Sequence, residues 1–294
     1  MIKNGVYAAG LSILKDNKSL DVEATINHAE SAIKNGLHGV FFFGSTGQSQ
    51  LISISEKKDL ISRTATSKFK NQLYIGTGVN ALKDNLDLIR YSMEFGFHTF
   101  LLMPPAYYKG NTDEGVYNFY GEIITQLPKI KIILYNFEKL SGYLFSAEAV
   151  KKLVKNFPKQ IIGCKDSSYN LFESLKIPDF KMFPGSEAKL LKGLELGCSG
   201  CISAVTNVTH SLARKVFDDF ENKKPQTSNE KVIKVRQTFD QYPLISALHS
   251  FFSVVDNKYL NILPPLSLLN SESKIELLKK LKEINFIPSE NIPS

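Results

Sequence analysis

A lysine stands at the end of an apolar segment, where a surface charge is not expected. The segment Gln160–Asp166 has the composition of a buried strand, and Lys165 comes just before the polar pair Ser167 and Ser168. Partial removal from water disfavours the ammonium form of a lysine, and the neutral amine can then attack a carbonyl carbon. Lys165 is therefore a candidate for Schiff-base formation, although a lone lysine at a strand end more often extends its charge into water.

Polar groups also follow two other apolar segments. The turn Gly44–Gly47 carries the hydroxyls of Ser45 and Thr46 in front of a predicted helix, a combination suited to binding a carboxylate. Tyr135 ends another segment, and its phenol can relay protons if a partner such as Ser45 holds the hydroxyl. Taken singly, the turn could be an ordinary connection and the tyrosine an ordinary core residue. Together with an amine, they supply what carbon–carbon cleavage through an enamine requires.

The elements that position these residues alternate between apolar strands and amphipathic helices. Eight strands, each followed by a helix, predict a parallel sheet closed into a (β/α)8 TIM barrel, since no Gly-x-Gly-x-x-Gly follows the first strand. The carboxyl ends of all barrel strands lie on one face, so the three polar groups are expected to meet there. The predicted strands are 5–14, 38–43, 73–77, 99–103, 130–135, 160–166, 181–183 and 200–203. The predicted helices begin near 21, 53, 82, 112, 146, 171, 188 and 210.

The composition changes after Glu221. The polar break Asn222–Pro225 separates the predicted barrel domain, residues 1–224, from a helical C-terminal extension, residues 225–294, that is expected to pack on the barrel. Within the extension, the apolar spacing predicts helices at about 229–250, 255–262 and 272–283.

Length, charge and cysteine content argue against several classes of protein. The 294 residues contain no long apolar run and no signal-peptide layout at the start, which predicts a soluble, cytoplasmic protein without a membrane partner. The net charge of +7 is spread along the chain without a recognised binding motif, so nucleic-acid binding has no further support. Cys164, Cys198 and Cys201 are an odd number in a chain without secretion signals, and they are predicted to be core thiols.

Six short motifs resemble those of one enzyme family in order and spacing, from about residue 5 to residue 285. They resemble the class I pyruvate-dependent aldolases, the family of dihydrodipicolinate synthase and N-acetylneuraminate lyase. The resemblance implies a (β/α)8 barrel, pyruvate bound as a Schiff base on Lys165, and no metal or organic cofactor. The motifs are Gly44–Gly47, Gly76–Gly78, Tyr107–Tyr108, Tyr135–Asn136, Gly163–Asp166 and Gly185–Glu187.

The resemblance also implies roles for individual residues. Ser45 and Thr46 would bind the substrate carboxylate, and Tyr135 would shuttle protons. Tyr108 resembles a tyrosine that enters the site of a neighbouring subunit, with Ser45 linking it to Tyr135. The protein would then be a homo-oligomer, a dimer of dimers. Two further sets of residues would contact substrate: the Ile202 backbone at the pyruvate pocket, and Gly185 and Glu187 beyond it.

The departures from the family pattern concern the substrate. Leu140 stands where dihydrodipicolinate synthase has the arginine that holds the aldehyde's carboxylate, and a leucine cannot pair with a carboxylate. The run Lys139–Gly142 instead resembles N-acetylneuraminate lyase, although Glu187–Ala188 replaces that enzyme's pair of acids.

The favoured function is an N-acetylneuraminate-lyase-like or 2-oxo-3-deoxy sugar acid aldolase. Its partners would be pyruvate and a small aldehyde or 2-oxo acid. Dihydrodipicolinate synthase and a non-catalytic barrel that binds 2-oxo acids remain alternatives.

Overall fold

Eight parallel strands form the barrel in the computed structural model, which describes residues 2–287. The strands are Gly5–Ala9 (β1), Gly39–Phe42 (β2), Leu73–Gly76 (β3), Thr99–Leu102 (β4), Lys131–Asn136 (β5), Ile161–Asp166 (β6), Lys181–Pro184 (β7) and Gly200–Ser203 (β8). Neighbours follow chain order from β1 to β7, and β8 pairs with β1. A backbone hydrogen bond of 2.8 Å from Ser199 N to Met182 O links β7 to the start of β8. The predicted (β/α)8 TIM barrel is confirmed.

The helices of the barrel follow the strands along the chain, and three more complete the C-terminal part. They are Val22–Lys34 (α1), Ile54–Thr64 (α2), Leu82–Glu94 (α3), Asp113–Gln126 (α4), Glu138–Ser141 (α5), Ala147–Asn156 (α6), Leu190–Glu195 (α7), Thr206–Glu221 (α8), Asn229–Phe239 (α9), Leu244–Phe252 (α10) and Ser271–Glu283 (α11). Within residues 2–287, no helix is both long and apolar enough to cross a membrane.

Local sequence signals determine where several helices begin. A capping box opens α2, because the Ser53 hydroxyl accepts from Glu56 N and the Glu56 carboxylate accepts from Ser53 N. Asp21, Thr112 and Ser146 each accept a backbone N–H three residues ahead and so cap α1, α4 and α6. These caps pair donors that the first helical turn leaves free, and they fix the point at which each βα loop ends.

The strands separate an interior core from an outer core. Alternate side chains point to opposite faces of a strand, so one set fills the barrel and the other meets the helices. Tyr135 belongs to the interior set, near the end of β5. The other fully or nearly buried members are Ile2, Tyr7, Phe41, Leu101, Ile133, Phe183 and Ile202.

The C-terminal helices pack on the barrel through a core of their own. Val235 and Phe239 of α9 and Phe251 of α10 share this core with Leu11 and Val205 from the barrel. The described C-terminal helices therefore share core contacts with residues of the barrel. The boundary between residues 224 and 225 stays a prediction, and residues 288–294 of the proposed extension lie outside the described residues.

Two predicted helices are wrong in extent or existence. The helix expected near Leu171 does not form, because the Asp166 carboxylate accepts the N–H groups of Leu171 and Phe172 and holds a loop instead. The helix expected over 229–250 is divided into α9 and α10 at the segment that ends in Pro243, a residue with no N–H to continue the helix.

Three boundaries also differ from the prediction. β1 ends at Ala9 rather than at residue 14, because the chain turns and Leu14 bridges Leu20 in antiparallel fashion. α8 begins at Thr206 instead of near His210, and the segment 255–262 contains only a 3-10 helix, Asn257–Leu260.

Candidate functional site

A polar cavity of about 650 Å³ opens at the carboxyl-terminal face of the barrel. The mouth of a barrel is the common position of a TIM-barrel active site. Five predicted site residues line this polar cavity, which is formed by Ser45, Thr46, Tyr135, Phe137, Glu138, Lys139, Lys165, Ser167, Ser168, Tyr169, Gly185, Ala204, Arg236, Asp240 and Leu244.

Lys165, Tyr135 and Ser45 form a connected group in this cavity. The Lys165 side chain is 3% exposed, and its Nζ lies 4.1 Å from the centroid of the Tyr135 ring. The Tyr135 hydroxyl is hydrogen-bonded to Ser45 Oγ at 2.9 Å. An amine, a phenol and an aliphatic hydroxyl thus lie beside one another in the cavity, a set of groups suited to amine nucleophile and proton-transfer chemistry.

Strand pairing places the amine beside the phenol. Tyr135 of β5 lies opposite Lys165 of β6, and Asn136 lies opposite Asp166 at the next position. Asn136 Nδ2 donates to Asp166 Oδ1 at 2.8 Å, and Asp166 also accepts from Tyr169 N at 2.9 Å. This buried pair fixes the two strand ends and the loop that brings Tyr169 to the cavity.

The turn that carries Ser45 and Thr46 is held from two sides. Ser12 Oγ donates to Gly47 O at 2.7 Å, and Gln48 adopts left-handed backbone angles directly after the turn, with φ of 54°. Gln48 Oε1 accepts from Leu263 N at 2.7 Å, so the buried Gln48 side chain ties the turn to the C-terminal extension.

His249 continues this link into the extension. Its Nδ1 lies 3.1 Å from Tyr259 O, and its Nε2 lies 3.5 Å from Gln48 Nε2. Burial lowers the pKa of His249 to about 4. The ring is therefore neutral at pH 7, with Nδ1–H donating to the carbonyl and Nε2 free to accept from the amide.

An ionic cluster borders the polar cavity, and we call it the Arg236 cluster: Arg236, Glu187, Ser203 and Asp240. Arg236 and Asp240 line the cavity, and Glu187 and Ser203 lie buried behind them. Arg236 Nη1 contacts Glu187 Oε2 at 3.3 Å and donates to Ser203 Oγ at 3.0 Å. Arg236 Nε donates to Asp240 Oδ1 at 2.7 Å, and Ser203 Oγ donates to Glu187 Oε2. Burial alone would lower the pKa of the guanidinium, but the charges of Glu187 and Asp240 raise it overall.

A second, mostly apolar cavity of about 230 Å³ adjoins the hydrogen-bonded pair Ser45 and Tyr135. It shares Ser45 and Tyr135 with the polar cavity, and Leu140 lies on its wall. No arginine or lysine occurs among its lining residues within the described chain, so this side offers no partner for a carboxylate. Its other lining residues include Phe43, Met103, Ala106, Ile245 and Leu266.

Gly185, on the wall of the polar cavity, lies against Ser167, where an added Cβ would clash with Ser167 Oγ. The other predicted site residues occupy different positions, and Ile202 is fully buried in the barrel interior. Glu187 is 0% exposed and faces Arg236. Tyr108 is 74% exposed and packs edge-on against Tyr107 on the loop after β4.

Sequence reasoning missed Arg236, Asp240 and Ser203 as parts of the site. Arg236 could have been found, because it follows Val235 on the buried face of α9 between Val232 and Phe239. An arginine inside an apolar helical stripe indicates a buried ionic partner. Among residues 2–287, acidic, histidine and cysteine side chains form no cluster of three that could hold a metal ion.

Comparison with known proteins gives consistent matches along nearly the whole chain. A sequence model of the Dihydrodipicolinate synthetase family matches residues 3–284. The 2-dehydro-3-deoxy-D-gluconate/2-dehydro-3-deoxy-phosphogluconate aldolase of Picrophilus torridus is 28% identical over 260 residues, 84% of this chain and 96% of that protein. The 4-hydroxy-tetrahydrodipicolinate synthase of Legionella pneumophila is 32% identical over 209 residues, 69% of this chain and 70% of that protein.

The fold has close counterparts among solved structures. Dihydrodipicolinate synthase from Agrobacterium tumefaciens superposes with a TM-score of 0.87 at 24% identity, over 96% of this chain and 99% of that chain. At this identity the likeness supports the barrel and its C-terminal helices, but not a substrate.

Proposed function

The chain belongs to the dihydrodipicolinate synthetase family, and from this premise we propose that it cleaves a 2-oxo-3-deoxy sugar acid, or a sialic-acid-like relative, to pyruvate and an aldehyde. Family membership makes the protein a carbon–carbon lyase, a pyruvate-dependent aldolase that works through a Schiff-base lysine. The observation that best supports Lys165 as that lysine is its position over the Tyr135 ring in the polar cavity.

The proposed reaction uses groups that are already in contact. Lys165 Nζ attacks C2 of the 2-oxo acid, and Tyr135 gives its phenolic proton to the carbinolamine hydroxyl, which leaves as water and gives an iminium ion. The Tyr135 phenolate then takes the proton of the C4 hydroxyl, the C3–C4 bond breaks, and its electron pair moves through C2 to the nitrogen. The aldehyde leaves, C3 of the enamine takes a proton from Tyr135, and water releases pyruvate and the free amine.

Two further groups assist in this proposal. Ser45 and Thr46 bind the C1 carboxylate, and Ser45 also holds the Tyr135 hydroxyl during proton transfer. The covalent Schiff base takes the role of a cofactor, so we propose that the reaction needs no metal ion or organic cofactor. The proposed location is the cytoplasm, with no nucleic-acid or membrane partner.

We also propose that the active form is a homo-oligomer, a dimer of dimers. Tyr107 and Tyr108 are exposed on the rim of the barrel, and the apolar cavity opens beside Ser45 and Tyr135. Tyr108 from a second copy of the chain is proposed to enter this cavity and extend the relay from Tyr135 through Ser45.

The second candidate is the condensation of pyruvate with aspartate semialdehyde. The 32% identity to the Legionella pneumophila synthase favours it. The alkyl side chain of Leu140 weakens it, because a buried carboxylate left without a cationic partner is costly.

The two candidates are separated by assaying both directions of the reaction. Pyruvate release is measured from a 2-oxo-3-deoxy six-carbon acid and from N-acetylneuraminate, and condensation is measured with pyruvate and aspartate semialdehyde. Cleavage of either sugar acid with kcat/KM at least about tenfold above the condensation supports the first function. A dominant condensation supports the second, and the absence of any turnover contradicts both.

A further inference from the structure

The Arg236 cluster contributes two residues to the wall of the polar cavity, Arg236 and Asp240, that the proposed chemistry does not use. Arg236 and Asp240 line the cavity together with Tyr135 and Lys165, so a substrate bound on Lys165 shares the cavity with them. The cluster is therefore in a position to recognise the portion of the substrate that leaves as the aldehyde.

The hydrogen bonds within the cluster restrict what Arg236 can bind. Nε is occupied by Asp240, and Nη1 is occupied by Ser203 and Glu187. Nη2 is the remaining nitrogen, and the residues that the structure describes supply no partner for it. A phosphate or carboxylate is held best by two parallel N–H donors of a guanidinium. One free nitrogen suits a single hydroxyl oxygen instead.

The charges of the cluster also disfavour an anionic ligand. Arg236 contributes one positive charge, whereas Glu187 and Asp240 contribute two negative charges, which leaves a net charge of −1. Glu138 and Lys139 on the same wall have opposite charges that offset each other. The substrate already carries its C1 carboxylate. A second anionic group, on the part that leaves as the aldehyde, would therefore be repelled by the cluster, because charges interact more strongly in a partly water-excluded cavity than in bulk water.

A hydroxyl group needs only one guanidinium nitrogen and is not repelled by the negative charge of the cluster. It can accept from Arg236 Nη2 and donate to the half-exposed Asp240 carboxylate, without displacing the ion pair between them. An uncharged chain with several hydroxyls thus matches both the donors and the charge of the wall.

We propose that Arg236 and Asp240 are specificity-determining residues that select an uncharged, hydroxyl-bearing leaving aldehyde and reject phosphorylated or carboxylated ones. This inference deepens the proposed function and rests on it. It separates two substrates that share the same reacting atoms, the 2-oxo-3-deoxy acid with a free terminal hydroxyl and its terminal phosphate ester.

The test is the condensation of pyruvate with three aldehydes: glyceraldehyde, glyceraldehyde 3-phosphate and aspartate semialdehyde. For the natural chain, kcat/KM with glyceraldehyde is expected to exceed that with each anionic aldehyde at least about tenfold. An Asp240→Asn variant removes one negative charge and weakens the hold on Arg236 Nε. In this variant, the ratio of kcat/KM with glyceraldehyde to kcat/KM with glyceraldehyde 3-phosphate is expected to fall about tenfold.

An Asp87→Asn variant, on the exposed face of α3, is the matched control and should leave the ratio unchanged. The ratio between aldehydes is the decisive readout, because a general loss of structure lowers all three rates together.

Equal or better use of an anionic aldehyde by the natural chain would overturn the inference and leave the aldolase assignment intact. An unchanged ratio in Asp240→Asn, or pyruvate trapped on Lys165 without turnover of glyceraldehyde, would also overturn it. Failure to bind pyruvate covalently would instead overturn the proposed function.

Discussion

The hydroxyl of Tyr135 is the single group on which the proposed proton transfer depends. It contacts Ser45 Oγ, and its ring lies under the Lys165 amine. A Tyr135→Phe variant keeps the ring and loses the hydroxyl, so kcat should fall by about 10²- to 10⁴-fold while KM changes little. Steady-state kinetics of pyruvate release would measure both.

Tyr143→Phe is the matched control for this variant. The Tyr143 hydroxyl donates to Asp113 Oδ1 at 2.8 Å, and Tyr143 is not among the residues that line the two cavities beside Tyr135. Its kcat should remain close to that of the natural chain. Near-normal kcat in Tyr135→Phe would show that another group transfers the proton.

The residues proposed to do the chemistry were easier to predict than those that surround them. Lys165 and Tyr135 stand at the ends of apolar segments, where a polar side chain is conspicuous in the sequence. Arg236 and Asp240 are about 70 residues further along the chain, and only tertiary packing brings α9 to the cavity. Glu187 was expected to face the substrate, but its charge could not be assigned to an ion pair before the position of α9 was known.

Among the elements, the turn between β2 and α2 is linked to the C-terminal extension by the side chain of Gln48. Gln48 reaches Leu263 N and lies beside His249. Asparagine tolerates left-handed backbone angles but is one methylene shorter than glutamine. Gln48→Asn therefore removes the hydrogen bond to Leu263 N and leaves the backbone unstrained.

Gln48→Asn should therefore raise KM for 2-oxo acids more than it lowers kcat, because the turn proposed to bind the carboxylate is less well fixed. The loss of a buried hydrogen bond should also reduce the free energy of unfolding by about 1–3 kcal/mol. Kinetics and urea unfolding would measure the two effects, with the surface variant Gln126→Asn as control. An unchanged KM would show that the turn needs no support from the extension.

Burial and hydrogen bonding of the individual elements explain which of them could be predicted from the sequence. Strands buried on both faces read as short apolar runs, so all eight were located, with small errors at their ends. The loop after β6 was mistaken for a helix because its hydrogen bonds come from the Asp166 side chain, which apolar spacing does not reveal. The division between α9 and α10 was missed although Pro243 was visible, because apolar residues resume directly after it at Leu244 and Ile245.

At the scale of the whole molecule, buried histidines make stability depend on pH. Burial lowers the pKa of His28 and His249 to about 4, below the value of about 6.5 expected in the unfolded chain. Between these values the unfolded chain binds protons that the folded chain does not. The free energy of unfolding is thus highest above about pH 6.5 and falls as the pH decreases toward 4, by roughly 3 kcal/mol for each histidine.

Urea unfolding at pH 7.5, 6.5, 5.5 and 4.5 would measure this loss. His28→Gln removes one of the titrating groups and should flatten the dependence, whereas His98→Gln, an exposed position, should not change it. A free energy of unfolding that stays constant from about pH 6.5 to pH 4.5 would contradict the prediction.

The measurement that tests the central claim most directly is borohydride reduction in the presence of pyruvate, followed by intact mass and peptide mapping. We predict one pyruvate adduct per chain, located on Lys165 and absent from a Lys165→Ala variant. Lys57 is an informative competitor, because it is buried, its pKa is lowered to about 7 by burial, and it contacts Thr77 O and Gly78 O outside the polar cavity. An adduct on Lys57, or no adduct at all, would contradict the account.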